Sequence, residues 1–364
     1  MVLNDFISLF EKFAPITLQE NYDNSGVQIG DQSMKITAVL TTIDVTQDVI
    51  NEAIEHGCNL IISHHPLIFR PIKKITPENE VQRCILSLIQ NNIALYVAHT
   101  NFDNIIEGVN GKIADKIGLQ NCKVLQPLSN QLLKLNVYVP VLHAVSVRDS
   151  LFKAGAGSIG NYENCSFNAD GFGTFKANNH AQPFVGEINS LHTEPEIKIE
   201  LLFPAYLKSA VLKALHTSHP YEEPAYDLIV LSNNSERLGA GLIGELTDEQ
   251  DEVLFLKQLK NIFNCQYIRH TKLTGRKIKK VALCGGSGSF LLQNAISAGA
   301  DLYISGDFKY HEFFEAENQI LIADLGHFET EQFTKHIFYE IITKKMPTFA
   351  VRISETKTNP INYL

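Results

Sequence analysis

The chain contains no CxxC pair. Its six cysteines (Cys58, Cys84, Cys122, Cys165, Cys265 and Cys284) are scattered singly, which disfavours a thiolate metal site and suits reduced thiols in a cytoplasmic protein. No apolar run approaches the roughly 20 residues that a membrane span needs. The opening stretch MVLNDFISLFEKFAP carries acidic groups at helical spacing, unlike a secretory leader. Positive charge is scarce as well. With 31 Lys and Arg against 40 Asp and Glu, the formal net charge is −9, which argues against a general nucleic-acid or anionic-membrane binder. The one basic stretch, Lys272–Lys280, leads into a strand and reads as its solvated approach. Dedicated catalytic motifs are missing too. GxSxG is absent, so there is no serine nucleophile elbow, and CGGSGS (Cys284–Ser289) matches neither GxGxxG nor the Walker pattern. Those glycines fit tight packing of strand on helix as well as they fit an anion held by backbone amides. Cys84 and Cys284 lie in apolar contexts and read as core.

At 364 residues, two domains are expected. From Lys35 to Phe102, extended and helical patterns alternate: ITAVLTTID, then TQDVINEAIEHG closed by Gly57, CNLIISHH, a helix around NEVQRCILSLIQNN, and IALYVAHT. Such alternation implies a parallel sheet with crossover helices. The same grammar returns late, in KKVALCGG, SFLLQNAISAGA, DLYISGD, ILIADLGH and the helical ETEQFTKHIFYEIITKK. The two stretches align. Ala53-Ile54, Gly57, Leu60 and Ile62-Ser63 match Ala295-Ile296, Gly299, Leu302 and Ile304-Ser305, which places His64-His65 opposite Gly306-Asp307. This hints at a repeated α/β unit whose strand ends face one site. Between the halves, a βαββαβ order reads as ferredoxin-like. The expected fold class is therefore α/β. A discontinuous parallel-sheet metal-binding domain (residues 1–128 and 236–364) carries an inserted ferredoxin-like α+β domain (129–235).

Chemistry concentrates at the ends of the parallel strands, where ligand sites of such sheets lie. LIISHH delivers His64 and His65, and LYVAHTNFD delivers His99 and Asp103. LYISGDFKYHE delivers Asp307 and His311, and LIADLGHFETE delivers Asp324, His327 and Glu331. Nitrogen and carboxylate oxygen without thiolate suit zinc, iron, manganese or nickel. His327 and Glu331, four apart, share a face if a helix opens after Gly326. Adjacent histidines in extended chain point to opposite sides, so two ions are easier to accommodate than one. Asp103 and Glu331 could bridge or flank the pair. Asp307 and His311 read as groups that orient ligands or move protons, or equally as a helix-start cap. His56, His143, His180, His192, His270 and His336 read as ordinary polar residues.

The motifs ENYDNSGVQIG, SHHPLIF, AHTNFD, CGGSGS, SGDFKYHE, GHFETE and TNPINY together resemble the Nif-three-like dinuclear metal centre family, whose bacterial members are labelled GTP cyclohydrolase 1 type 2 homologues. The resemblance runs in order along essentially the whole chain. GAGSIGNYENCSF and HPYEEPAYDLI resemble the PII-like or CutA-like module of its longer bacterial members. It implies two divalent cations per subunit on His64, His65, Asp103, His327 and Glu331, and a toroidal homohexamer. The name points to a metal-dependent hydrolase that opens the guanine imidazole ring of GTP; in that reaction the strand-end residues His99, Asp307 or His311 would move protons. Tyr22 stands where the family commonly has Trp. A two-metal hydrolase of phosphoesters or amides, or a non-enzymatic metal-responsive scaffold with a regulatory insert, would use the same ligands.

Overall fold

The apolar runs Leu60–Ser63 and Ala94–Val97 are buried at every position, the pattern of strands covered on both faces. They occupy the middle of a five-stranded sheet in the computed structural model, which describes residues 1–362 and 364. Across this sheet the order is Gly26–Ile29, Ala94–Val97, Leu60–Ser63, Ala38–Thr42 and Ala350–Ile353. The last four run parallel, and Gly26–Ile29 is antiparallel to its neighbour. Crossover helices Gln47–Glu55 and Glu80–Gln90 are started by side-chain caps. Thr46 Oγ1 accepts from the Val49 N–H at 3.3 Å, and Asn79 Oδ1 accepts from that of Gln82 at 3.0 Å. Their apolar faces (Val49, Ile50, Ala53; Cys84, Ile85, Leu88) close over Leu40, Ile61 and Leu95. The strand Ala350–Ile353 was not anticipated from the sequence.

A second sheet has the order Arg269–His270, Leu321–Asp324, Leu302–Gly306, Ile278–Ser287, Gly239–Gln250, Gln120–Pro127. Only Leu321–Asp324, Leu302–Gly306 and Ile278–Ser287 are mutually parallel. Both sheets are thus mixed, where the alternation of elements had suggested parallel ones. Gly239 pairs with Pro127 in antiparallel register, so the strand that leaves before residue 128 is met by the strand that returns after 235, as in a hairpin. The helix expected over 329–345 is two helices, His327–Glu331 and Thr334–Lys345. In the joint, Gln332 Nε2 donates to the carbonyls of Phe263 and Glu329 at 2.8 and 2.9 Å. Among the described residues no helix is long and apolar enough to cross a membrane.

Residues 1–127 and 236–364 form one compact unit, and residues 128–235 form another. In the second unit the elements run strand Leu132–Pro140, helix Ala144–Lys153, strands Phe167–Lys176 and Leu191–Pro204, helix Lys208–Ser218 and strand Tyr226–Leu231. The sheet order is Phe167–Lys176, Leu191–Pro204, Leu132–Pro140, Tyr226–Leu231, antiparallel throughout. Leu135, Val137, Ile199 and Leu201 point to one face at the two-residue period of a strand. They pack with Val147, Leu151, Val211 and Leu215 of the helices.

Candidate metal centre

The strand Leu60–Ser63 stops just before the paired histidines. The Ser63 hydroxyl donates to the His65 carbonyl at 2.9 Å, and the His64 and His65 N–H groups both donate to the Ile43 carbonyl. The pair therefore sits in a bend. Its rings lie 5.0 Å apart at 40° on a common side, whereas extended chain had suggested opposite sides. Across from them, His327 opens the short helix His327–Glu331, and Glu331 lies one turn later on the same face. Glu331 is 4% exposed. Its Oε2 lies 2.9 Å from His65 Nε2 and 3.1 Å from His327 Nε2, and its Oε1 lies 3.6 Å from His64 Nε2. Asp103, in the short helix Thr100–Asp103, brings Oδ1 to 3.8 Å from His64 Nε2. His65, His327 and Glu331 form one group with ligand atoms within 4.8 Å of one another. His64, Asp103 and Glu331 form a second, and His64, His65 and His99 a third.

Every one of these imidazoles is held by its other nitrogen. His64 Nδ1 meets the Ala98 carbonyl at 2.9 Å, His65 Nδ1 meets Asp44 Oδ1 at 2.7 Å, His327 Nδ1 meets Asp307 Oδ2 at 2.6 Å, and His99 Nδ1 meets Asp23 Oδ1 at 2.7 Å. With the proton on Nδ1, each Nε2 lone pair is free, the arrangement usual for metal-bound histidine. His65 Nε2 and His327 Nε2 then face each other at 3.2 Å, a repulsive contact unless a cation lies between them. His64 Nε2 and Glu331 Oε2 are buried without a hydrogen-bond partner, which is costly for polar atoms. Orphaned donor atoms and a nitrogen–oxygen ligand set fit a divalent transition metal.

Without metal, the cluster behaves as a buried ion network. Burial pushes His65 and His327 toward the neutral form, but Glu331 together with Asp44 (at His65) and Asp307 (at His327) outweighs it and lifts them to about 10 and about 11. Burial likewise opposes charge on Glu331, yet His64, His65 and His327 hold it well below the usual carboxylate range. Burial, reinforced by the Asp103 and Glu331 carboxylates, drives the Cys284 thiol far upward, so sulfur remains protonated beside the site.

The other strand-end residues divide. Asp307 orients His327, and its backbone adopts φ +57°. His311 is exposed, makes ring contacts with Tyr310 and Phe314, and belongs to none of the three groups. Asp324 is bound by Arg269 and by the N–H groups of Phe308 and Gly326, so it shapes the turn before His327. The glycines of CGGSGS pack against Glu331 and its helix. The Gly286 N–H donates to Thr330 Oγ1 at 2.9 Å, and a Cβ there would lie 2.2 Å from Glu331 Oε1. Asp23 and Asp44 were not singled out from the sequence. Asp44 was detectable, because ITAVLTTID ends in it, as the other strands end in theirs. It also accepts from the Thr358 hydroxyl at 2.6 Å. Asp44→Ala should lower metal affinity roughly 10- to 100-fold while the far-UV circular dichroism stays unchanged. Titration of metal-free protein with Zn²⁺ against a competing chelator measures it, and unaltered affinity would mean that Asp44 does not position His65.

A mixed α/β scaffold whose histidines and carboxylates converge from two sheets defines a candidate metal-binding protein. The chain belongs to the Duf34/NIF3 (NGG1p interacting factor 3) family, whose profile matches residues 1–360. It is 40% identical over 363 residues to the GTP cyclohydrolase 1 type 2 homolog of Halalkalibacterium halodurans, covering 98% of each chain. To the protein of the same description from Bacillus subtilis it is 38% identical over 368 residues, covering 98% of this chain and 97% of that one. The solved Bacillus cereus protein related to NIF3 superposes with a TM-score of 0.87 at 38% identity, covering 100% of this chain and 99% of the other.

Proposed function

We propose that the centre holds two divalent ions, of zinc, iron, manganese or nickel, and that the protein is a metal-dependent hydrolase of the GTP cyclohydrolase type. One ion would take His65 and His327, the other His64 and Asp103, with Glu331 between them. The observation that carries this reading is the division of Glu331: one oxygen faces His65 and His327, the other faces His64. A divalent-metal pair supplies Lewis acidity and lowers the pKa of a water from about 15.7 toward about 7.

The chain's own groups then do the rest. Asp44, Asp307 and the Ala98 carbonyl fix the ligand rings through Nδ1. Asp23 does the same for His99, leaving His99 Nε2 to carry protons beside the cluster. Asp23 itself is set by the Thr100 N–H and by the Ser25 and Thr100 hydroxyls. In the reaction, a first water would add at C8 of guanine and the C8–N9 bond would break to give the N7-formamide; a second water would then cleave C8–N7, releasing formate and leaving the amine on the pyrimidine, with the protons going to the ring nitrogens. His99 takes this role in preference to Asp307, which is committed to His327, and to His311, which lies outside the three groups. The names of the 35–40% identical relatives support the substrate class. We further propose that residues 128–235 form a ferredoxin-like module of the PII-like kind, on the strength of its βαββαβ order, and that the protein assembles as a toroidal hexamer, as the family resemblance implies.

Metal-loaded protein should release formate from GTP. His99→Ala should cut the rate about 100-fold or more at unchanged metal content. Absence of formate from fully metallated wild type would exclude the cyclohydrolase reading, and absence of turnover of phosphoester and ester substrates as well would leave a metal-responsive scaffold.

A further inference from the structure

We propose that the unit of residues 128–235 carries a binding site for an organic cation with an apolar body. This goes beyond the metal chemistry and does not depend on it. The site is a cavity of about 570 Å³, within the size range of small-molecule sites. Its walls include Tyr138, Phe175, Phe184 and Tyr221. The rings of Phe175 and Phe184 stand 5.9 and 6.4 Å from that of Tyr221, so aromatic faces and edges surround the space. Such walls attract cations through the ring quadrupole.

The cavity also contains a buried carboxylate with capacity to spare. Glu196, in the strand Leu191–Pro204, is 8% exposed. Its Oε1 accepts from the Tyr221 hydroxyl at 2.9 Å. Its Oε2 takes no hydrogen bond from the described residues and lies over Gly173, also in the wall, where a Cβ would approach to 2.2 Å. A glycine therefore leaves room for that oxygen. A carboxylate oxygen at a cavity wall that takes no donor from the protein is free to accept from a ligand N–H.

The charge balance selects the sign of the ligand. Asp170, Glu222 and Glu223 line the cavity with Glu196, against one cation, Lys198, for a formal balance of −3. Lys198 is already engaged by Glu200 at 2.5 Å. Phosphorylated ligands would be repelled. A guanidinium, amidinium or ammonium group would satisfy Glu196 Oε2, and its carbon body would lie among the rings.

The test uses the full-length, metal-loaded protein and ligands of like size that differ in charge. Benzamidine and phenethylamine are the cationic probes, benzamide the neutral one and benzoate the anion, with affinities read by calorimetry. At least one cation should bind with an affinity ten or more times that of benzamide, and benzoate should not bind. Glu196→Gln should reduce cation binding ten-fold or more with metal content unchanged. Phe184→Ala should weaken the same probe. Failure of both cations to bind at millimolar concentration would overturn the proposal. So would equal binding of benzamidine and benzamide to wild type, which needs no variant to fold.

Discussion

Glu331→Gln should empty the centre of at least one ion per chain and suppress formate release at neutral pH to below a tenth of wild type. The carboxylate is 4% exposed and is shared by three imidazoles. A carboxamide of the same size carries no charge and turns an N–H₂ group toward one set of ligands. Breaking a buried ion cluster from one side costs about 3–5 kcal/mol, which corresponds to a loss of affinity of more than 100-fold. Elemental analysis gives the metal content, and a pH–rate profile of both proteins at matched occupancy separates metal loss from a less acidic water. In the second case activity recovers as pH rises. Equal turnover and equal metal content would rule out Glu331 as the shared ligand.

Metal loading at pH 7.5 should release at least two protons per chain. In the metal-free protein, Glu331 with Asp44 and Asp307 holds His65 and His327 protonated up to about 10 and about 11; against burial, Glu331 and Asp103 also raise His64, and each must become neutral to bind metal. Affinity should therefore rise with pH, by up to roughly 100-fold per unit between about pH 7 and 10. Stability of the metal-free protein should run the other way. The folded-state values lie above the unfolded value of about 6.5, so this stabilisation is fully present below about pH 6.5 and disappears as pH climbs through about 10 to 11. The linkage slope is at most about 1.4 kcal/mol per pH unit per group, and less for His327, whose side chain is 34% exposed. Calorimetric titration in buffers of different ionisation enthalpy counts the protons, and melting temperatures from pH 6 to 10 give the second trend. A metal-free melting temperature that increases toward pH 10 would contradict this charge assignment.

The crossover units were legible because each combines a continuous apolar strand with a capped amphipathic helix, as in Thr46–Gly57 followed by Leu60–Ser63. The convergence of His64, His65, Asp103, His327 and Glu331 was legible because each follows a strand end or shares a helical face. Strand direction in the sheets was less so. Local pattern does not tell Gln120–Pro127 that its partner lies beyond residue 238, since that register is set by a distant return of the chain. Asp307 was singled out as a group that orients a ligand, whereas two other holding groups were passed over for a related reason. Asp23 and Asp44 act on histidines 76 and 21 residues away, and their role exists only once the rings are in place. The opposite-sides expectation for His64 and His65 failed because both N–H groups turn to one carbonyl, that of Ile43.

The meeting of His65 with His327 joins residues 262 apart in sequence, which places a delay in the life of each new molecule. At a synthesis rate of roughly 5–20 residues per second, the first imidazoles leave the ribosome roughly 13 to 50 s before their counterpart is made. The sheet that presents them waits as well, because Ala38–Thr42 gains its outer neighbour only when Ala350–Ile353 arrives. A nascent chain thus displays two histidines and an open strand edge with neither half of the metal cradle closed. The proposed two-ion centre can therefore close only after residues 327–331 are made, near the end of synthesis.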